Sequence, residues 1–381
     1  MSSSFKYTGL TRLLVVAGAV ALVATGCAAP GSGSEGTASG DPCEGSAALA
    51  VATLVADMSP ADREAALYAE ALATEDGQID FYTEINDPQP IVDGFEEKHE
   101  DLTVNVYRAG SEQIRQRVVE ESAAMFSGAD LVEMDTLEVA ILDSEGLLSP
   151  AHSPLRAELS DAAQFDNYIG DRLSYIVPAW NSDLLTTEEI PQSLEDFADP
   201  RFKGLLALEG SDVFWFAGMV THLESEGMTR DEAVGVFTDI ASNASITSGH
   251  TTTTELVVAG QYAIAMNNYV HRVLEIQGKG APLAYSPVNI PVVAEITAVT
   301  VPCLSDNPAG AVLLQDFILS ADGGQAIFVA DDRTPSNVSM ATETFGGEQI
   351  TPIEVDVADV AANYAEWATL WDEVIKNGSQ G

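Results

Sequence analysis

Basic residues are scarce in this chain. Sixteen lysines and arginines stand against 59 aspartates and glutamates in 381 residues, a formal charge of -43, and only five of the basic residues are lysine. Phosphate backbones bind basic surfaces, so the shortage excludes nucleic acid as a partner. The acidic excess is spread along the chain and not gathered in blocks. It reads either as solubility in high salt, where screening removes self-repulsion, or as a field that draws cations toward a cleft. Cysteine is nearly absent, at three residues, with no CxxC and no Cys/His cluster. Hydrolase signatures are missing: there is no GxSxG elbow, no HExxH and no SxxK with its partner motifs. The five histidines, His99, His152, His222, His250 and His271, show no metal-ligand spacing. An exported hydrolase pairing Ser248 with His250 would have nothing to orient its base, so an enzyme is not expected.

What is present begins with an address. Lys6 and Arg12 precede an apolar run from Leu13 to Val23, shorter than the roughly 20 residues a spanning helix needs, so residues 1–26 read as an export signal. The run ends in Ala24-Thr25-Gly26-Cys27, which resembles a bacterial lipoprotein processing site, with Ala24 where leucine is usual. That resemblance implies a lipidated Cys27 and a protein held on the outer face of the cell membrane. Residues 27–45 are nearly all small or acidic, too poor in apolar surface to fold, and read as a tether. The GSGSEG within it has neither a strand before it nor a helix after it, so it is no dinucleotide site. With Cys27 lipidated, Cys43 and Cys303 remain in an oxidising compartment, where a disulfide between them is expected; two buried thiols or a metal site are the alternatives.

From about residue 46 onward the chain is long enough for one large or two medium domains, and 46% hydrophobic content supplies a core. Ser59 before Pro60 predicts a helix to Ala73 within an N-terminal extension, residues 46–77. Then QIDFYTE, LTVNVYRA and ADLVEMD read as strands alternating with helices at PIVDGFEEKH, SEQIRQRVVEESAAMF and LEVAILDSEGLL. Strict alternation argues for a parallel sheet covered on both faces. Pro178 interrupts RLSYIVPAWNSDLL, after which KGLLALEG, ASITSG and YAIAMNNY form a second set. PVVAEITAVTVP carries the chain back, PAGAVLLQDFILS reads as a long helix, and a last helix runs from Val357 to about Lys376. The expectation is two α/β lobes with mixed, mostly parallel sheets joined by a two-segment hinge: lobe 1 at residues 78–178 plus 298–350, lobe 2 at 179–297 plus 351–381.

Seven segments in register, IDFYTE, FEEKHEDLTVNV, GADLVEMD with EGLLSP, PAWNSDLL, IPQSLEDFADPRFKG, AGQYAIAMNNYV, and NPAGAVLLQDFILSADGGQ followed by RTPSN, carry a resemblance. The chain is similar to the extracellular solute-binding proteins of ABC importers, the ferric-ion-binding-like group of the two-lobed periplasmic binding protein type II class. This implies a monomeric receptor that closes on a small solute and docks on a membrane permease, with no cofactor. The solute is implied to be ferric ion or its complex, a small organic or phosphorus anion, or an amine carrying one.

In open parallel sheets ligands sit beyond the carboxyl ends of strands. Those ends place Tyr82, Thr83, Glu84, Asn86, Glu133, Asp135 and Thr136 in the first lobe, and Glu209 to Trp215, Ser248 to Thr252, and Asn268 with Tyr269 in the second, with Trp180 and Asn181 at the crossing. The candidate ligand-binding set is Tyr82, Thr83, Glu84, Asp135, Trp180, Asn181, Ser211, Trp215, Ser248, Thr251, Asn268 and Tyr269. Iron-binding relatives are expected to use adjacent tyrosines with a histidine and a glutamate. Here Tyr269 is followed by Val270, Asn86 stands near the histidine position and Asp135 near the glutamate, so Tyr269, Asp135 and Glu84 are the candidate ferric ligands. Ser248, Thr251 and Thr252 open a helix, which suits an anion as well as simple capping.

Overall fold

The computed structural model describes residues 43–74, 77–285, 290–340, 345, 350–353 and 355–378. The export segment, Cys27 and the tether up to residue 42 lie outside the described residues. Two helices come first, α1 (Ala47–Val55) and α2 (Pro60–Ala71), with Ser46 and Ser59 accepting from the backbone N-H of Leu49 and Asp62. The first βα units follow: β1 (Gln78–Thr83), α3 (Gln89–Lys98), β2 (Thr103–Arg108), α4 (Ser111–Ala123), β3 (Leu131–Asp135) and α5 (Thr136–Ser144). A long strand, β4 (Ile169–Asn181), leads to β5 (Leu206–Glu209), α6 (Val213–Ser225), α7 (Arg230–Asn243), β6 (Ala244–Thr247), α8 (His250–Val258), β7 (Ile264–Tyr269), α9 (Val270–Gly278) and the short β8 (Leu283–Ala284). The chain then returns through β9 (Val293–Thr300), α10 (Pro308–Leu319), α11 (Gly324–Ala330) and the short β10 (Thr334–Pro335), and ends in α12 (Val357–Ala362) and α13 (Tyr364–Gly378).

The strands form one curled sheet in the order β2-β1-β3-β9-β4-β7-β5-β6, with β8 and β10 paired to β4. Each end is parallel: β2-β1-β3 in one half, and β7-β5-β6 in the other. The middle is antiparallel, because β9 and β4 run against each other and against β3 and β7. The sheet is therefore mixed, and strict alternation holds only within each half.

Two expectations need correction. RLSYIVPAWN is the end of one uninterrupted 13-residue strand, β4, and Pro178 does not break it. Pro178 lacks an N-H to give the ladder, and the pairing with β7 shifts register between Val177 and Ala179, so a bulge absorbs it. The last helix is two helices, since Asn363 ends α12 with its side chain turned back to the Asp359 carbonyl at 2.9 Å. That break places Tyr364 at the start of α13.

Packing follows the strand phase. Ile79 and Phe81 point from β1 into one apolar cluster with α10, while Tyr82 joins another with Val132, Met134 and Ile114. Helix α10 lies directly on β1 because Gly310 has no Cβ; one would stand 2.7 Å from Ile79 Cγ1. The N-terminal helices cover the outside of α10. Arg63, 1% exposed, reaches Asp316 at 2.6 Å and the Val55 carbonyl at 3.1 Å. Cys43 and Cys303 are joined by a disulfide with their Cα atoms 4.9 Å apart. In the other half, Trp215, Trp371, Phe216 and Phe237 pack edge to face and stacked between α6, α7 and α13. Among the described residues no single helix is long and apolar enough to cross a membrane.

Candidate functional site

The carboxyl ends of strands from both halves open on one cavity of about 700 Å³. Glu84 follows β1, Asp135 ends β3, Glu295 and Ser174 come from β9 and β4, Tyr269 ends β7, and Ser211 with Asp212 follows β5. The starts of α4, α5, α6, α8 and α9 also face it, at Gly110, Asp135, Asp212, Gly249 and Tyr269. None of these five starts carries a side-chain cap hydrogen bond. α1, α2, α7, α10 and α12 are capped by Ser46, Ser59, Thr229, Asn307 and Asp356, whereas α3 and α11, which start away from the cavity, are uncapped as well; at the cavity the uncapped starts leave backbone donors open. Gly249 has φ 85°, a turn that favours glycine, and its N-H donates to Glu209 at 2.9 Å.

Tyr269 is the centre of the arrangement. Its hydroxyl donates to Glu295 Oε2 at 2.5 Å, and its ring lies 4.3 Å from that of His250 and 5.3 Å, stacked, from that of His271. Burial and the neighbouring Glu295 and Asp135 carboxylates hold the phenol well above its usual range. Glu295 is pushed up to about 8 by burial and by Asp212. Asp135 is raised by burial and by Glu295 and Glu84. The cavity thus gathers carboxylates that raise one another.

The basic groups around it are engaged. Arg172 is 1% exposed and pairs with Glu84, Glu133 and Asp171. Arg272 holds Glu275 at 2.5 Å, and Arg333 holds Asp331 at 3.0 Å. His250 reaches Asp212 at 3.2 Å and the Asn267 carbonyl at 3.2 Å. Burial opposes its charged form, but Asp212 together with Glu209 and Glu295 raises it to about 9. His271 is the opposite case, held well below its usual value by burial and by Arg333 and Arg172. Glu209, Asp212 and His250 have ligand atoms within 4.8 Å of one another and could hold a metal ion. Their atoms are already occupied, however: Glu209 takes donors from Ser211 and Gly249, and Asp212 takes the Asn267 amide at 2.6 Å.

Of the residues expected from sequence, Glu84, Asp135, Ser211, Ser248, Thr251 and Tyr269 line the cavity, as does Asn86. Tyr82, Thr83, Trp180, Asn181, Trp215 and Asn268 do not, and for each the reason is a structural partner. Tyr82 turns its hydroxyl to Glu121 at 3.0 Å under an Arg117 guanidinium, and Thr83 binds Glu133. Trp180 and Trp215 are core residues, 3% and 1% exposed. Asn181 donates to the Val257 carbonyl at 2.9 Å, and Asn268 to Thr254 at 2.8 Å. Strand-end position alone does not say which face a side chain takes.

Sequence reasoning missed His271, Glu295, Arg333 and Tyr364, all of which line the cavity, while Asp212 lies within the Glu209 to Trp215 segment expected there. His250, which falls within the Ser248 to Thr252 segment expected at the cleft, lines it too. A signal existed for Glu295. In VAEIT the buried phase of the strand runs Val293, Glu295, Thr297, and a carboxylate in a buried phase needs a reason.

Comparison with known proteins fits this geometry. Residues 90–351 match the family described as "Bacterial extracellular solute-binding protein". No curated protein matches the sequence. Among solved structures, iron-bound HitA from Pseudomonas aeruginosa is 20% identical, with a TM-score of 0.67 over 78% of this chain and 99% of its own. AfuA from Actinobacillus pleuropneumoniae, with fructose-6-phosphate bound, is 19% identical, with a TM-score of 0.69 over 78% and 98%. The ferric binding protein from Campylobacter jejuni is 19% identical, with a TM-score of 0.66 over 78% and 99%. The chain belongs to the bacterial extracellular solute-binding protein family. It is a receptor of the ABC-importer type working outside the cytoplasm, in a family of transport proteins and not of enzymes.

Proposed function

We propose that this member of the bacterial extracellular solute-binding protein family captures ferric ion, alone or in a small complex, and hands it to its permease. The observation that carries the reading is the gathering of Glu84, Asp135 and Glu295 with Tyr269 around one cavity, where burial and neighbouring carboxylates raise Asp135 and Glu295. Phenolate and carboxylate oxygens are hard donors suited to a hard trivalent ion. Two of the similar structures are iron-binding by their printed names. The ion is cargo and not a cofactor. Capture works by population shift: the two halves of the sheet close around the solute because the closed form contacts it from both sides. The protein acts as a monomer, with Cys27 carrying the lipid that keeps it beside the permease.

A second reading has its own support. Five uncapped helix starts face the cavity, and open N-H groups with the positive dipole end suit a small organic or phosphorus anion, or an amine bearing one. One titration separates the two: ferric citrate added to the chain beginning after Cys27, followed by visible absorption. Ferric capture gives a saturable tyrosinate-to-iron band that Tyr269→Phe abolishes. A flat trace ends the ferric reading and leaves the anion.

A further inference from the structure

Ferric capture through Tyr269 leaves one question open, because the next residue is Val270. It is 1% exposed and packs with Val177, Ala179 and Val273 in an apolar cluster away from the cavity. No side chain at that position offers a second oxygen. The sheet offers one from elsewhere. Strands β3, β9, β4 and β7 are consecutive neighbours, and their registers set Asp135 opposite Thr297, Ser174 opposite Glu295, and Ile176 opposite Tyr269. Glu295 therefore stands on β9, two strands from Tyr269, with Ser174 between them. A serine side chain is short enough for the tyrosine ring to lean over it, and the phenol oxygen arrives 2.5 Å from Glu295 Oε2.

Resting on the ferric reading, we infer that Glu295 is a ligand of the ion, supplying from the central strand β9 the oxygen that Val270 cannot. Four features support the assignment. Glu295 lines the cavity while 6% exposed. Among the described residues its carboxylate has Tyr269 as its one hydrogen-bond partner, so it is not tied up in an ion pair as Glu84 is by Arg172. Asp135 lies on the adjoining strand at the same rim. Finally, two oxygens this close can both reach one ion, the phenol proton leaving to solvent as the phenolate binds. The ion then sits on a strand shared by both halves, not only on the loops of either. Occupancy of the site is thereby tied to the element about which the halves would turn.

The test uses the same soluble chain and ferric citrate, with citrate competition giving the affinity and the visible band giving phenolate ligation. Loss of a group that merely hydrogen-bonds a ligand costs about 10–100-fold in metal affinity. As a ligand, Glu295 predicts a loss beyond about 100-fold in Glu295→Gln, with the band weakened or gone and substantial recovery in Glu295→Asp, which keeps the carboxylate. Far-ultraviolet circular dichroism on both variants guards against misfolding, and the Asp variant carries the test if the Gln variant is unfolded. A loss within 100-fold, or no better binding by the Asp variant than by the Gln variant, overturns the assignment while the wild-type band keeps the ferric reading alive. Absence of the band in the wild type overturns both.

Discussion

In the half of the sheet that ends at β3, a buried guanidinium, Arg172, meets Glu84, Glu133 and Asp171. In the half built on β5, the corresponding bulk is aromatic: Trp180, Trp215, Trp367 and Trp371 all belong to one apolar cluster with Phe216 and Phe237. Both halves wrap helices around three parallel strands over apolar cores, but beside the first a buried guanidinium is neutralised by carboxylates, while the second is filled by aromatic shape. The difference teaches where each half is vulnerable. Arg172→Met strands Glu133 and Asp171, both 0% exposed, and is expected to cost about 3–5 kcal/mol in urea unfolding. Trp371→Ala opens a cavity and is expected to cost a similar 3–5 kcal/mol or so. Acidity distinguishes them. Burial raises the pKa of both Glu133 and Asp171, so the Arg172 deficit should shrink between pH 7 and pH 5 as the stranded carboxyls take up protons. The tryptophan deficit should not change. Equal pH dependence would break the comparison.

The disulfide belongs to one side of it. Cys43 is tied to Cys303 across 260 residues, holding α1 and α2 beside α10. Replacing both cysteines by serine is expected to lower stability by about 2–4 kcal/mol. Hydrogen exchange should show protection lost first in α1 and α2, with α6 and α7 unaffected. Uniform loss across the chain would mean that the staple acts on the whole fold.

The order and type of most elements were legible because their periodicities are clean: QIDFYT alternates between two apolar clusters, and Ser59-Pro60 marks a helix start. The antiparallel middle was less so. Neither β4 nor β9 announces its partner, and Pro178 looks like a stop until the bulge beside it is seen. At the site, Tyr269, Asp135 and Glu84 could be named because strand ends in this kind of fold gather ligands. Trp180, Trp215 and Asn268 were misplaced because a strand-end residue can turn inward, and only packing decides that. Glu295 stayed hidden because it lies within a strand whose two long-range neighbours the sequence does not identify.

The cavity itself supplies a pH test. Glu295, at about 8 against an ordinary 4.5, and His250, at about 9 against 6.5, both bind protons more tightly in the folded chain. Their contribution to stability is full below the ordinary values and is lost as pH rises through the folded ones. His271, which is depressed, acts only at lower pH. Between pH 7 and pH 9 the unliganded chain should therefore lose roughly 3 kcal/mol, read as a falling thermal midpoint. Glu295→Gln should flatten that slope. A midpoint that rises over this window would contradict the carboxylate crowding on which the cation reading stands.

The smallest expected effect concerns the helix starts. Thr229 and Glu232 form a reciprocal cap on α7, with Thr229 N-H donating to Glu232 at 2.8 Å. Thr229→Ala should cost about 1 kcal/mol. Ser248 precedes the uncapped α8 and lines the cavity; with no cap to lose, Ser248→Ala should stay within about 0.5 kcal/mol. If the open starts serve the solute, that same change should weaken solute binding while leaving unfolding nearly untouched, and Thr229→Ala should do the reverse. A Ser248 variant that loses stability as the Thr229 variant does would mean that the serine supports the helix after all, and the contrast between sealed and open helix ends would lose its functional meaning.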